Sequence, residues 1–276
     1  MTKISRAIRY IMHGIQPRYV TANVVISNHS NRLAGKKIVV TGGGRGLGYS
    51  IAKKCKEEGG DVLIAGRNED VLKKSAEALK CEYVVFDVTQ FEMYKRFFDI
   101  CENKLEGTID CLVNNAGISL HEGTIFEVSI KTFDQQVATN FKAPYFLSKE
   151  FASRFIKDDN KKEGSILFIS SERGLYCDDI PYGLIKSAIN SLTKGLGRRL
   201  LGKGIRVNAI APGVTVSDMT GYSKEGNLDR PYTSSGRVYL PEEVAELAAF
   251  LLCGESGCIS SQVIPCNNGN HLRCDW

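Results

Sequence analysis

Tyr182 and Lys186 stand four residues apart in the run YGLIK, so on a helix both side chains leave the same face. A free phenol titrates near ~10 and is a poor base at neutral pH. A neighbouring ammonium favours its anion, and each pH unit gained that way is worth about 1.4 kcal/mol. Such a pair can exchange a proton with an alcohol or a carbonyl. A lone Y-x-x-x-K is more often an exposed helix pair of little energetic weight, so its companions decide the matter.

One companion is KIVVTGGGRGLG at residues 37–48, with five glycines between Gly42 and Gly48. Ile38, Val39 and Val40 read as a buried strand, and Leu47, Ile51 and Cys55 recur every four residues as one helix face. The glycines therefore join a strand to a helix N-terminus. Unpaired N–H groups and the positive end of the helix dipole favour an anion there, and missing Cβ atoms let a phosphate approach closely. The fingerprint G-x-G-x-x-G is absent in register, because Leu47 and Tyr49 occupy the positions of its last glycine. The pattern present is T-G-x-x-x-G-x-G, formed by Thr41, Gly42, Gly46 and Gly48. A glycine-rich linker is the plain alternative, and clean alternation of strands and helices around the stretch disfavours it.

The elements that must position these groups follow one another in a regular order. After the first strand, apolar runs at 61–66, 81–88, 109–117, 164–171, 205–213 and 261–265 read as strands. Amphipathic stretches at 69–80, 91–105, 130–155, 182–201 and 241–253 lie between them. Strands separated by helices need right-handed crossovers and a sheet covered on both faces. The expectation is an α/β, single-domain, doubly wound parallel sheet of about seven strands with helices on both faces. It occupies residues 35–276, behind a basic extension at 1–34, and no repeat or low-complexity segment interrupts it.

Bulk properties agree. With 276 residues, 43% of them hydrophobic, the chain can bury a large core, and no run is long and apolar enough for a membrane span. Nine cysteines, scattered as Cys55, Cys81, Cys101 and Cys111 are, suit reduced core thiols and a cytoplasmic location better than a disulfide framework. The late group Cys253, Cys258, Cys266, His271 and Cys274 lacks C-x-x-C spacing, so packing is preferred over a metal site and none is expected. Residues 1–37 carry seven basic side chains and no acidic one, which leaves 29 basic against 31 acidic groups, or −2, for the rest. A nucleic-acid partner is disfavoured, since the body is nearly neutral.

Taken together these residues resemble the short-chain dehydrogenases/reductases, from about Lys36 to Gly269. The likeness rests on TGGGRGLG, DV at 87–88, NNAG at 114–117, Asn140, ISS ending at Ser171, YGLIK, RVNAIAPG at 206–213 and PEEVA at 241–245. It implies a Rossmann fold, hydride exchange with a nicotinamide dinucleotide, and a homodimer or homotetramer built partly from long helices flanking the site. By the same resemblance Tyr182 is the general acid/base, and Lys186 lowers its pKa while holding the cofactor ribose. Ser171 orients the substrate carbonyl, and Asn140 holds a proton-relay water. Ser170 is adjacent, but Gly174 three residues beyond Ser171 matches the family's S-x-x-G. The segment from Ser171 to Tyr182 is about two residues shorter than is usual in the family.

The resemblance also implies the cofactor contacts. Gly42, Gly44, Arg45, Gly46, Leu47 and Gly48 cradle the phosphates, and Asp87 with Val88 borders the adenine. Asn114, Ala116 and Gly117 turn beside the adenosine ribose, while Pro212, Gly213, Thr215 and Ser217 border the nicotinamide. No carboxylate follows the second strand to accept from a ribose 2′-OH. The position reads Ala65, Gly66, Arg67, and Arg67 with Arg45 suits a 2′-phosphate, so NADP is expected over NAD.

Substrate choice is less legible. The loops facing the nicotinamide carry His121, Glu122, Arg173, Tyr176, Asp178, Asp179 and Arg230, which favours a small polar, sugar-like alcohol or ketone, although each charge also suits an exposed loop. The ending CNNG replaces the acidic double-glycine ending common in the family. Ile4, Ile8, Ile11 and Ile15 form one apolar helical face with Lys3, Arg6 and Arg9 off it. This face fits an anionic membrane surface, a partner or a transit peptide, but it has no tryptophan or phenylalanine anchor, so packing on its own domain or across an oligomer interface is preferred. A non-catalytic dinucleotide sensor or scaffold is the alternative to an enzyme, and the joint presence of Tyr182, Lys186, Ser171 and Asn140 favours the enzyme.

Overall fold

In the computed structural model, which describes residues 19–22, 31–161 and 163–272, the apolar runs pair into one sheet. Its strands are β1 (Lys37–Thr41), β2 (Asp61–Gly66), β3 (Glu82–Val85), β4 (Cys111–Asn114), β5 (Gly164–Ile169), β6 (Ile205–Pro212) and β7 (Val263–Cys266). They run parallel in the order β3-β2-β1-β4-β5-β6-β7. Because side chains alternate along a strand, Val39 and Leu63 enter one core while Ile38, Val40 and Ile64 enter the other.

Among the described residues seven α-helices flank the sheet: α1 (Gly46–Glu57), α2 (Glu69–Leu79), α3 (Tyr94–Lys104), α4 (Ile130–Val137), α5 (Ala143–Phe155), α6 (Pro181–Leu200) and α7 (Pro241–Leu252). On one side α3, α5 and α6 bury Phe97, Phe98, Phe151, Phe155 and Ile189; on the other α1, α2 and α7 bury Ile51, Cys55, Leu72, Val244 and Leu252. Each of these large side chains contributes ~1.5–3 kcal/mol on burial. Proline opens both α6 and α7, where its missing N–H costs nothing.

The stretch 130–155 is not one uninterrupted helix. A π-helical turn over Ala138–Lys142 separates α4 from α5. Asn140 sits at its centre, buried.

The strand order reverses between β1 and β4, where one crossover set runs outward to β3 and the other to β7. A crevice opens at such a switch, above the carboxyl ends of the strands. Part of the N-terminal extension packs on the domain: Arg32 pairs with Glu58 at 2.6 Å and Leu33 is fully buried. Upstream, Leu228 N–H donates to the Val20 carbonyl at 3.2 Å, and Ala22 joins the small cluster of Val216, Leu228, Val238 and Leu240. The apolar face of Ile4, Ile8, Ile11 and Ile15 lies outside the described residues. Among those described, no helix is long and apolar enough to cross a membrane.

Candidate active site

The glycine turn is braced from below. Thr41 closes β1 with a buried hydroxyl that accepts from the N–H groups of Asn115 and Ala116, both at 3.1 Å, and donates to the Val113 carbonyl at 3.2 Å. The Asn115 amide in turn donates to the carbonyls of Thr41 at 2.9 Å and Gly42 at 3.1 Å. Gly42 and Gly46 have φ of +67° and +55°, in the left-handed region that favours glycine. A Cβ on Gly48 would overlap the Gly42 carbonyl and the Asn115 amide, so α1 begins in direct contact with the turn. Asn115 was not singled out among the sequence candidates, and its position inside NNAG is the signal that points to it.

These features fit the phosphates of a dinucleotide. Arg45 precedes α1 in extended conformation without side-chain capping, and the first turn holds no carboxylate. The helix N-terminus therefore keeps its polarity for an anion. Gly44 packs over Val71 and Leu72, Leu47 lies against the core, and Val88 is buried. Arg45 pairs with Asp218 at 2.9 Å, both largely exposed. Arg67 is exposed and has no ion pair among the described residues. Asp87 uses one carboxylate oxygen to accept from the N–H and hydroxyl of Thr89, at 2.9 and 2.8 Å.

At the end of β4 the side chains face inward. Asn114 donates to the Ser148 hydroxyl at 3.1 Å on α5, while its buried side-chain oxygen has no hydrogen-bond partner among the described residues. The Asn140 carbonyl oxygen accepts from Ile118 N–H at 2.9 Å, and its amide nitrogen donates to the Ile118 carbonyl at 2.8 Å. This two-bond clamp fixes the loop past Gly117, whose Cβ, if it had one, would lie 3.3 Å from Asn140.

The two serines after β5 diverge. Ser170 turns inward and donates to Asn190 at 2.6 Å. Ser171 caps a short 3-10 turn, accepting from Arg173 N–H at 3.2 Å, and its hydroxyl stands near the Tyr182 phenol. Burial pushes the Tyr182 phenol above its ordinary range, while the Ser171 hydroxyl and the nearby Arg173 cation pull the other way. Lys186, buried beneath, donates to the Ile169 carbonyl at 2.7 Å, with its nitrogen 5.6 Å from the Tyr182 ring centre. Burial holds its ammonium down at about 8. In this arrangement the groups that favour the phenolate are Ser171 and Arg173, whereas Lys186 is engaged with the strand end.

Facing them, β6 delivers Pro212 and Gly213. Gly213 N–H donates to Cys266 at 3.0 Å, the Thr215 hydroxyl donates back to Gly213 at 2.9 Å, and Ser217 shares a hydrogen bond with Thr220 at 3.2 Å. A Cβ on Gly46 would come within 3.8 Å of Ser217, so the glycine turn and the 213–217 loop meet across the crevice.

The loop charges are mostly tied to one another. Arg173 forks onto Asp178 at 2.6 and 2.7 Å, and Asp178 also accepts from Ile180 N–H at 3.2 Å. Burial opposes ionisation of Asp178, but the Arg173 fork and that N–H outweigh it and hold its carboxyl below the usual range. The short segment before Tyr182 is thus closed by an ion pair, and a Cβ on Gly183 would overlap Asp178. Glu122 accepts from Gln136 at 2.7 Å and Arg230 donates to the Tyr222 hydroxyl at 3.1 Å. His121 and Asp179 are exposed. Of the late cysteines, Cys253 is in the core, Cys266 is on β7 and Cys258 is exposed, all free thiols, while Cys274 lies outside the described residues. No group of three or more His, Cys, Asp or Glu side chains placed to hold a metal occurs among the described residues.

Residues 36–228 match the family described as short chain dehydrogenase. The chain belongs to that family. It is 34% identical over 249 residues to the 3-oxoacyl-[acyl-carrier-protein] reductase FabG of Chlamydia muridarum, covering 86% of this chain and 98% of that protein. It is 32% identical to the gluconate 5-dehydrogenase of Gluconobacter oxydans over 250 residues, 86% of this chain and 95% of that one. Among solved structures, a gluconate 5-dehydrogenase from Burkholderia cenocepacia in complex with NADP and tartrate superposes with a TM-score of 0.80 at 25% identity, covering 89% and 99% of the two chains. The fold is therefore that of the NAD(P)-binding short-chain dehydrogenases, and the chain stands among carbonyl/alcohol oxidoreductases.

Proposed function

We propose that this short-chain dehydrogenase interconverts a carbonyl and a secondary alcohol on a small polar substrate, with NADP as its dinucleotide. The reading is carried by one observation: just past the end of β5, Ser171 neighbours Tyr182, and the Lys186 ammonium, held on the Ile169 carbonyl at 2.7 Å, lies 5.6 Å from the Tyr182 ring centre. The dinucleotide, when bound, donates or accepts the hydride. Its phosphates would lie on Gly42–Gly48 and the start of α1, its adenine against Asp87 and Val88, and its nicotinamide between Ser171 and the 212–217 loop.

The rest is the work of this chain. In the oxidising direction the Tyr182 phenolate takes the alcohol proton; in reduction the phenol gives one to the carbonyl oxygen, which Ser171 polarises as a second donor. Lys186, on α6 and anchored to the Ile169 carbonyl, would hold the ribose, and Asn140, its side chain committed to Ile118, would hold the relay water through its main chain. Arg67 supports the choice of NADP, because an exposed guanidinium without an ion pair among the described residues is available to a 2′-phosphate, and the gluconate 5-dehydrogenase structure named above holds NADP.

Exposed Ile130, Phe133, Tyr145, Phe146 and Leu184 on α4, α5 and α6 support a homodimer or homotetramer, which light scattering would reveal. The deciding experiment is a panel of polyols, sugar acids and ketones followed at the nicotinamide absorbance, with Tyr182→Phe as control. Turnover abolished by Tyr182→Phe supports the reading. Turnover that survives it would overturn the reading.

A further inference from the structure

Immediately after Ser171 the chain places a carboxylate in the interior. Glu172 is only 8% exposed, yet it forms no ion pair among the described residues. An interior charge without a cation is costly unless its oxygens are hydrogen-bonded. Here the donors come from the far end of the chain: Asn267 and Asn270 both donate to the same Glu172 oxygen, at 3.0 and 3.1 Å.

The same asparagines reach the other walls of the crevice. The Asn270 amide nitrogen also donates to the Tyr176 hydroxyl at 3.2 Å, just past the turn that Glu172 begins, and its oxygen accepts from Ser234 N–H at 3.1 Å. Asn267 is 1% exposed, shares a hydrogen bond with His271 at 3.1 Å, and would meet a Cβ on Gly213 at 3.1 Å. Positive φ at Asn268 and Gly269, +48° and +72°, folds the segment so that both amides converge on one oxygen. The ending CNNGN is thus the joint between the Ser171 turn, the Gly213 loop and the segment at Ser234.

We propose that Glu172, gripped by Asn267 and Asn270, is a positioning residue that holds the Ser171 hydroxyl against Tyr182, which makes the C-terminal segment 266–271 part of the working site. Glu172 touches neither substrate nor dinucleotide; it acts through its neighbour. The proposal rests on the reading of Ser171 as the residue that orients the reacting oxygen.

The test is a double-mutant cycle on the full chain, with Glu172→Ala and Ser171→Ala alone and together, measured on whichever substrate the panel identifies. Displacing a reactive group by about an ångström costs up to ~100-fold, so Glu172→Ala should lower kcat by ~10- to 100-fold, with KM for the dinucleotide little changed. In the Ser171→Ala background the same change should cost less than about twofold. Glu172→Gln keeps an acceptor oxygen for both amides and should recover most of the activity. The pH profile adds a readout that simple loosening of the fold would not move: in Glu172→Ala the ascending limb of alcohol oxidation should shift toward that of Ser171→Ala. If Glu172→Ala multiplies the loss equally in both backgrounds and leaves that limb in place, this proposal falls while the oxidoreductase reading stands. If Ser171→Ala leaves kcat unchanged, the role of the serine falls and the proposal with it.

Discussion

Replacing Ser171 by alanine removes the hydroxyl that favours the Tyr182 phenolate, and the consequence for pH dependence can be worked out. A hydrogen bond to a charged acceptor is worth ~1.5–3 kcal/mol and one between neutral groups ~0.5–1.5, so the serine favours the phenolate over the phenol by about 1–1.5 kcal/mol. At about 1.4 kcal/mol per pH unit, its loss raises the ionisation of Tyr182 by roughly one unit. The direction follows from chemistry: burial already pushes the phenol up, and the variant deletes one of the groups that pull it down. Oxidation needs the anion, so the ascending limb of kcat/KM against pH should move about one unit higher. The plateau should also fall by ~100-fold or more, because a donor to the developing oxyanion is gone. The assay is steady-state alcohol oxidation at saturating NADP across pH 6–11. A lowered plateau with an unmoved limb would refute the coupling and leave Ser171 acting on substrate alone.

Arg67→Ala should weaken NADPH binding ~10- to 100-fold and leave NADH within a factor of about two, by fluorescence titration, since it removes one charge-assisted contact; equal weakening of both would refute the 2′-phosphate role. Gly48→Ala should destabilise the protein by ~1–3 kcal/mol, because its Cβ overlaps Gly42 and Asn115, and calorimetry would register a lower Tm. Burial holds Lys186 at about 8 against 10.5 unfolded, so between those values the unfolded chain binds a proton that the folded one does not. Relative to Lys186→Met, the wild type should therefore gain stability as pH rises through that window, by at most ~3 kcal/mol in urea unfolding, and a pH-independent difference would show that the ammonium is not the buried species.

The sheet was legible because each strand is a short apolar run between turn residues, and β-branched Ile38, Val39 and Val40 have few other uses next to a glycine turn. Helical periodicity marked 130–155, but the π turn at Ala138–Lys142 left no trace in the pattern. It accompanies a contact of the Asn140 amide with Ile118, twenty-two residues away, and local spacing carries no record of such a bond. The choice between Ser170 and Ser171 rests on the resemblance, through Gly174 in the family's S-x-x-G; no local pattern shows that a Cβ on Gly174 would meet the Lys186 backbone at 2.7 Å. Loop charges were the least legible. Arg173, Tyr176 and Asp178 stand out as polar residues beside the site, but nothing local says that Arg173 and Asp178 satisfy each other or that Tyr176 meets Asn270.

Two shifts of opposite direction share one cause. Burial disfavours the charged form of any group, so it raises the phenol of Tyr182 and lowers the ammonium of Lys186 within a single turn of α6. A site selected for stability alone would replace both by apolar side chains, since each carries a desolvation cost. Burial separates two groups that ordinarily titrate close together, with the ammonium down at about 8 and the phenol pushed up, so the phenol holds its proton through neutral pH and its anion depends on the Ser171 hydroxyl and the Arg173 cation. The fold then has to hold the pair in register. It does so with the Ile169 carbonyl, which accepts from Lys186, the Ser171 hydroxyl beside Tyr182, and the Asp178 carboxylate, which accepts from Ile180 N–H at the start of α6 and has its charge answered by Arg173. A full countercharge placed against either member would fix its protonation state, whereas dipoles constrain position and leave the proton free to move.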